Sequence, residues 1–338
     1  MSEIKKYINK VTDFKDLTED EAVRAFQIIM KGGATPVQIS ALLVGLRMKG
    51  ESIDEITAAA RVMRVRAEKF KAPDNCLDTC GTGGDNSGSF NISTAVAFVV
   101  AGCNVQVAKH GNKAISSRSG SADVLKLLGV NIDAEKEVME KALVEAGICF
   151  MMAPKFHSAM RYVAPVRMEL GIRSIFNVLG PLSNPANAKY QLLGVYSQKL
   201  VEPIARVLKK LGLERAWVVH GSDGMDEITT TGKTFVAELK GGRVRKFEIN
   251  PKDYGIKKVK PEELKGGDAN FNSQHLKAVL MNRGNEAYKD IVVLNSAAAL
   301  VVAGKVKNLE KGIDMAEESL SSGAANDSLM NLSSITNL

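Results

Sequence analysis

The sequence predicts an α/β protein, with a small helical domain preceding a larger α/β domain built on a mostly parallel central sheet. Three observations carry that reading. Helix-capping signals crowd the first seventy residues, apolar runs ending in glycine-rich loops recur after Pro73, and segments of helical character separate those runs. The expected division falls between residues 1–72 and residues 73–338.

The N-terminal helices are marked by three capping boxes: Thr18 with Glu21, Thr35 with Gln38 and Pro36 between them, and Ser52 with Glu55. Gly32-Gly33 and Lys49-Gly50 supply the reversals, and Ile39, Leu42, Leu43 and Leu46 repeat at helical spacing. Beyond Pro73, NCLDTCG, NVQVAKHG, GICFMMAP and AWVVHG read as strands, with helical segments at 121–128 and 134–146. Residues 241–270, rich in Lys, Gly and Glu, are expected to form an excursion from the sheet. No internal repeat or low-complexity segment interrupts the pattern.

Composition narrows the possible functions. With 338 residues, 45% hydrophobic and 25% charged, the chain can bury a substantial core. Apolar runs such as AVAFVVAG are too short to span a bilayer, and MSEIKKYINK lacks the apolar segment of a signal peptide, so the expected location is cytoplasmic. Cys76, Cys80, Cys103 and Cys149 show no metal-finger or disulfide spacing and read as reduced, partly buried thiols. A net charge of +7 favours an anionic partner, nucleic acid or a phosphorylated metabolite.

The run DTCGTGGDNSGSFNIST, residues 78–94, leads from a strand into a helix. Unused N–H groups and the macrodipole at a helix start attract anions, and glycines let phosphate oxygens approach the main chain. The same glycines also suit an ordinary tight turn, and the spacing matches no Walker or dinucleotide fingerprint. A second unit, KHGNKAISSRSGSADVLKLLG, repeats the arrangement at 109–129, with Lys109, Lys113, Arg118, Ser116, Ser117, Ser119 and Ser121 as cations and short donors. A right-handed crossover would place both loops at the same carboxyl edge of the sheet.

A third stretch, HSAMRYVAPVRMELGIRSIFNVLGPLSNPA, completes an ordered set: GTGGD, KHGN, SGSADVL, PVR-x-x-LGIR, FN-x-LGPL-x-NP and HG-x-DG-x-DE. Together these closely resemble the anthranilate phosphoribosyltransferases over nearly the whole chain. The resemblance implies a phosphoribosyl pyrophosphate site lined by Gly81, Gly84, Asp85, Ser89, Asn91, Ile92, Ser93 and Thr94. It adds Lys109, His110, Gly111, Asn112, Lys113, Ala114, Ile115, Ser116, Ser117 and Ser121. Ser89 stands where family members commonly carry threonine, and Lys113 and Arg118 appear in swapped form; both departures keep the donor chemistry.

Anthranilate carries a carboxylate beside an aromatic amine, so its pocket calls for a fork-shaped cation, and Arg167 matches. Taken alone, Arg167 on an amphipathic helix reads as a solvated residue, and His110 or His157 as a hydrogen-bonded core residue. The resemblance adds Gly81, Asn112, His110, His157, Gly180 and Pro181 to the acceptor pocket. It also implies Mg²⁺ held by Asp226, Glu227 and Ser93, a homodimer joined through the helical domain, and a helical domain completed in space by roughly residues 165–190.

The implied reaction displaces pyrophosphate from C1 of the ribose by the anthranilate amine, with no essential general base, since an aromatic amine is already nucleophilic at neutral pH. Pyrimidine nucleoside phosphorylases share the architecture, so fold by itself leaves that activity open. A non-catalytic nucleic-acid binder is the other alternative, suggested by a pI near 9.1. Neither accounts for Arg167 together with Asp226 and Glu227.

Overall fold

The computed structural model describes residues 3–114 and 118–338. Four helices come first, α1 (Ile4–Thr12), α2 (Glu19–Met30), α3 (Pro36–Lys49) and α4 (Ile53–Arg66). Every capping box read from the sequence closes reciprocally; Thr18 donates its N–H to Glu21 at 2.9 Å and its hydroxyl accepts the Glu21 N–H at 3.3 Å. Each such cap contributes about 1 kcal/mol. Glu55 has a second duty. Its buried carboxylate accepts the Leu17 N–H and the Lys49 ammonium, each at 2.9 Å, tying the start of α4 to the end of α3.

The chain continues through β1 (Leu77–Gly81), α5 (Ile92–Gly102), β2 (Val107–Gly111), α6 (Ser121–Leu127), α7 (Lys136–Glu145) and β3 (Ile148–Met152). Three short helices follow: α8 (Ala153–Phe156), α9 (Ala164–Leu170) and α10 (Phe176–Leu182). Then come β4 (Tyr190–Gly194), α11 (Val201–Lys210), β5 (Arg215–Gly221), β6 (Thr234–Lys240) and β7 (Arg243–Ile249). The chain closes with α12 (Ala269–Leu280), α13 (Glu286–Val302), α14 (Leu309–Ser321) and α15 (Ala324–Thr336).

The strands form one sheet in the order β3-β2-β1-β4-β5-β6-β7, parallel from β3 to β5 and antiparallel thereafter. β3 is an edge strand, yet both its faces are covered, Ile148, Phe150 and Met152 by one apolar cluster and Cys149 and Met151 by another, which is why ICFMM is buried at every position and reads as a continuous apolar run. The excursion expected at 241–270 is corrected in part. Residues Arg243–Ile249 form the edge strand β7, whose charged outer residues hide its alternation and leave an edge that resists further pairing.

Two large apolar clusters hold the layers together. One packs α5, α13, α14 and α15 on one face of the sheet. The other joins α1 to α4 with α9, α10 and α11 and with Leu193, Val195, Val218 and Ala237 on the opposite face. The segment bearing Arg167 therefore shares a core with the N-terminal helices. All four cysteines are free and buried. Among the described residues, no helix is long and apolar enough to cross a membrane.

Candidate functional site

Strand order reverses direction between β1 and β4, since β2 and β3 lie on one side and β5 on the other. Such a switch point leaves a crevice at the carboxyl ends of the strands. Gly81 and Gly194 are paired there. A Cβ on Gly81 would strike the Asp226 carboxylate, and one on Gly194 would strike the Asp226 backbone. Two bare strand ends thus form the seat for the acidic loop.

The glycine-rich loop after β1 wraps around that seat. Gly83 and Gly84 adopt φ of +66° and +72°, the left-handed region that glycine enters at least cost. The Gly83 N–H donates to Asp226 Oδ2 at 2.7 Å, and the Ser93 N–H donates to Glu227 Oε1 at 3.2 Å. Asp85 accepts the Ser87 N–H at 3.3 Å and the Asp226 N–H at 3.4 Å. Ser89 accepts a hydrogen bond from Ser87 at 3.2 Å. Asn91 precedes α5 without its side chain capping it; of the first-turn N–H groups, that of Ile92 goes to the Phe90 carbonyl at 2.9 Å and that of Ser93 to Glu227. Its Oδ1 instead accepts Asn272 at 2.9 Å and Ser119 at 3.3 Å. Ile92 and Thr94 are buried in the first turn of α5.

Charge is concentrated behind this loop. Lys109, only 4% exposed, donates to the Thr79 carbonyl at 2.5 Å and to Ser93 Oγ at 3.3 Å. Its ammonium therefore holds the Ser93 hydroxyl from inside and faces Asp78 and Glu227. Burial, then Asp85, pushes the Asp226 carboxyl up to about 7; burial, then Asp226, pushes Glu227 well above the carboxylate range. Removing charged oxygens from water is costly, and adjacent negative charges add to that cost. Among the described residues, no three or more His, Cys, Asp or Glu converge as a complete metal site, so a cation here must also draw on hydroxyl, water or phosphate oxygens.

The second loop, after β2, lies beside the first because β1 and β2 are parallel neighbours. Gly111 has no room for a side chain beside Ser121 and Phe150. The Asn112 side chain accepts the Lys113 N–H at 2.8 Å, its carbonyl accepts Ser121 Oγ at 3.3 Å, and the Ala114 N–H meets Asp123 at 2.9 Å. Lys113 and Arg118 are exposed. Ile115, Ser116 and Ser117 lie outside the described residues.

The third segment contributes Arg167 of α9. Its guanidinium carbon lies 5.6 Å from the Phe176 ring centroid, and among the described residues it makes no hydrogen bond or ion pair. It is half-buried, and burial depresses its pKa. A partly desolvated guanidinium without a protein partner calls for an anion. His110 and His157 are buried with ring centroids 5.1 Å apart, and each has an unpaired Nε2. Burial holds them neutral, with pKa values lowered to about 3 and about 4. Gln191 donates to the Pro181 carbonyl at 2.7 Å, and a Cβ on Gly180 would meet only open space, so α10 forms a wall.

Several supporting residues carry no signal in the loop motifs. Asn295 of α13 is fully buried and grips Ile228, the residue after Glu227, at both its N–H (2.9 Å) and its carbonyl (2.8 Å). Tyr288, seven residues earlier, stacks on Phe90 at 4.3 Å and donates its hydroxyl to the Asn91 carbonyl at 3.3 Å. One helix thereby fixes both loops. A heptad spacing inside an apolar helix is the trace this leaves in sequence, and core packing leaves the same trace.

Known proteins agree with this architecture in detail. Residues 5–67 match the helical bundle domain and residues 73–326 the a/b domain of the glycosyl transferase family. The anthranilate phosphoribosyltransferase of Azospirillum brasilense is 56% identical over 337 residues, covering 100% of this chain and 94% of that protein. The crystal structure of the Thermus thermophilus anthranilate phosphoribosyltransferase superposes with a TM-score of 0.93 at 40% identity, covering 100% of both chains. The Saccharomyces cerevisiae enzyme, solved in complex with phosphoribosyl pyrophosphate and Mg, gives 0.90 at 28% identity over 99% of this chain and 98% of its own. With an acidic pair seated at the switch point and these full-length matches, the chain belongs to the anthranilate phosphoribosyltransferase family of glycosyltransferases.

Proposed function

We propose that this chain transfers the 5-phosphoribosyl group of phosphoribosyl pyrophosphate to the anthranilate amine, releasing pyrophosphate, as a step of tryptophan biosynthesis. The observation that carries this reading is the acidic pair Asp226-Glu227 at the switch point, holding the Gly83 and Ser93 N–H groups of the glycine-rich loop, together with a half-buried, unpaired Arg167 on α9, the helix whose following turn reaches the Gly84 carbonyl through Arg173.

In this reading the loop from Gly81 to Thr94 and the segment from Lys109 to Ser121 hold the donor, with backbone N–H groups and short hydroxyls taking its phosphate oxygens. Arg167 grips the acceptor carboxylate through two parallel hydrogen bonds and so aims the amine at C1. Gly180 and Pro181 provide an apolar wall, and Asn112, His110 and His157 complete the acceptor side without adding a competing charge. Lys109 keeps the Ser93 hydroxyl in place.

Asp226, Glu227 and Ser93 suit Mg²⁺. They offer hard oxygen donors; burial first, then the neighbouring acids, raises the proton affinity of both carboxyls, and a divalent cation would relieve that crowding. When bound, Mg²⁺ would neutralise charge on the diphosphate leaving group.

The division into 1–72 with roughly 165–190 and 73–338 is supported by the shared core of α1 to α4 with α9 and α10. Dimerisation through the helical domain is supported by the outer face of α3, where Val37 and Met48 are 78% and 68% exposed. Four unpaired thiols support a cytoplasmic location.

The test is pyrophosphate release by the purified chain. It should require anthranilate, phosphoribosyl pyrophosphate and Mg²⁺ together, and uridine with free phosphate should give no uracil. Pyrophosphate release that ignores anthranilate would overturn the assignment.

A further inference from the structure

The glycine-rich loop has little conformational stiffness of its own. Gly83 and Gly84 both sit at positive φ, and a peptide next to glycine can turn over at small steric cost. Something outside the loop must fix it. Asp226 secures the Gly83 N–H, and the Gly84 carbonyl is secured from across the cleft by Arg173, whose Nη2 donates to it.

Arg173 lies on the turn after α9, two residues past the left-handed Gly171. It is itself held at both ends. Its carbonyl accepts a hydrogen bond from Arg47 of α3, and its guanidinium carbon lies 4.5 Å from the Tyr196 ring centroid. Tyr196 in turn donates its N–H to Thr82 Oγ1 at 3.1 Å, and the Thr82 N–H meets the Gly194 carbonyl at 3.0 Å. Glu51 and Arg47 also face Tyr196, so the arginine sits in a mixed-charge setting that anchors it without neutralising it.

We propose that Arg173 is a positioning residue for the donor substrate, fixing the Gly84 peptide from the acceptor side of the cleft. In a trans peptide the carbonyl of one residue and the N–H of the next point in opposite directions. Holding the Gly84 carbonyl towards Arg173 therefore turns the Asp85 N–H away from it and keeps one rotamer of the peptide available to an anion. The proposal rests on the reading of this loop as the phosphoribosyl pyrophosphate site. It separates two arginines on one short segment: Arg167 serves the acceptor, and Arg173, six residues later, serves the donor.

The experiment measures calorimetric affinity for phosphoribosyl pyrophosphate with Mg²⁺, and the KM for each substrate, in the wild type, Arg173→Ala, Arg173→Lys and Tyr196→Leu. Losing a charge-assisted hydrogen bond should weaken donor affinity about ten-fold or more in Arg173→Ala. The anthranilate KM should change by less than about three-fold, since the acceptor's own contacts remain. Arg173→Lys should recover part of the loss, because an ammonium can reach the carbonyl but cannot stack as a planar fork. Tyr196→Leu should show a smaller loss of the same kind. Amide exchange in residues 83–87 should quicken in Arg173→Ala while that of α9 stays unchanged.

Wild-type donor affinity in a folded Arg173→Ala, or equal losses for both substrates, would overturn the proposal. Should Arg173→Ala fail to fold, wild-type donor affinity and loop exchange in Arg173→Lys would overturn it equally. If the wild type itself binds no phosphoribosyl pyrophosphate, the proposed function falls and this inference falls with it. Wild-type binding with unaffected variants defeats only the inference.

Discussion

Glu227 accepts the backbone N–H of Ser93 at 3.2 Å, while its neighbour Asp226 accepts that of Gly83 at 2.7 Å. Two adjacent acids thus grip the two ends of one loop. Asn and Gln keep an acceptor oxygen at each position, so amide replacement removes charge while leaving the loop its hydrogen bonds.

Asp226→Asn with Glu227→Gln should therefore fold normally yet lose roughly 10²-fold or more in activity, the scale associated with removing preorganised electrostatic stabilisation. The Mg²⁺ concentration needed for half-maximal rate should rise. An unchanged Mg²⁺ titration, read alongside thermal melting, would remove these residues from any metal role.

Arg167→Ala should harm anthranilate use more than donor binding. A charge-assisted hydrogen bond of about 1.5–3 kcal/mol corresponds to roughly ten- to a hundred-fold or more in catalytic efficiency. Lys at 167 should restore part of this, because it keeps charge and loses the planar fork. Steady-state titration of each substrate, with circular dichroism as a folding control, separates the two effects; loss confined to the donor would place Arg167 in the phosphate site.

His110 and His157 make stability fall on mild acidification. Each titrates near 6.5 when unfolded, but folded values are lowered to about 3 and about 4, by burial first and, for His110, then by His157. The unfolded chain therefore takes up protons first as pH drops. The stabilisation is complete above about 6.5 and is lost as pH falls towards the folded values, by up to about 1.4 kcal/mol per pH unit per imidazole. Urea unfolding at pH 7 and pH 5 should show a smaller pH effect in His110→Phe than in the wild type.

Asn295→Leu should be among the costlier buried substitutions. It strands the Ile228 N–H and carbonyl, each of which now has an amide partner. An unsatisfied buried polar group costs about 1–3 kcal/mol, so urea midpoints should fall markedly. Because Ile228 follows Glu227 directly, the Mg²⁺ requirement should also rise in the fraction that folds; a stability loss with an unchanged requirement would make Asn295 purely structural.

What the sequence revealed depended on how local each feature was. The capping boxes at Thr18, Thr35 and Ser52 involve partners three residues apart, and they form as read. The strands ending at Gly81 and Gly111 were visible because each runs into a glycine-bearing polar loop, even though Asp78, Thr79, Lys109 and His110 break their apolar run. β4 escaped because it opens on Tyr190 and Gln191 directly after a polar loop, and β7 because its outward charges break the pattern. In the site, Gly81, Ser93, Asp226 and Glu227 do come together. The inward turn of Lys109, and the grips of Asn295 and Arg173, join residues far apart in the chain, so no local spacing could announce them.

The paired Gly81 and Gly194 also bear on heredity. Asp226 occupies the volume beside both strand ends, so any residue other than glycine at either position competes with it for space. Glycine codons are GGN, and every single-base missense change from them installs a residue with a β-carbon. A change at either of these two codons should displace the acidic loop, so alleles altered there would appear as tryptophan auxotrophs.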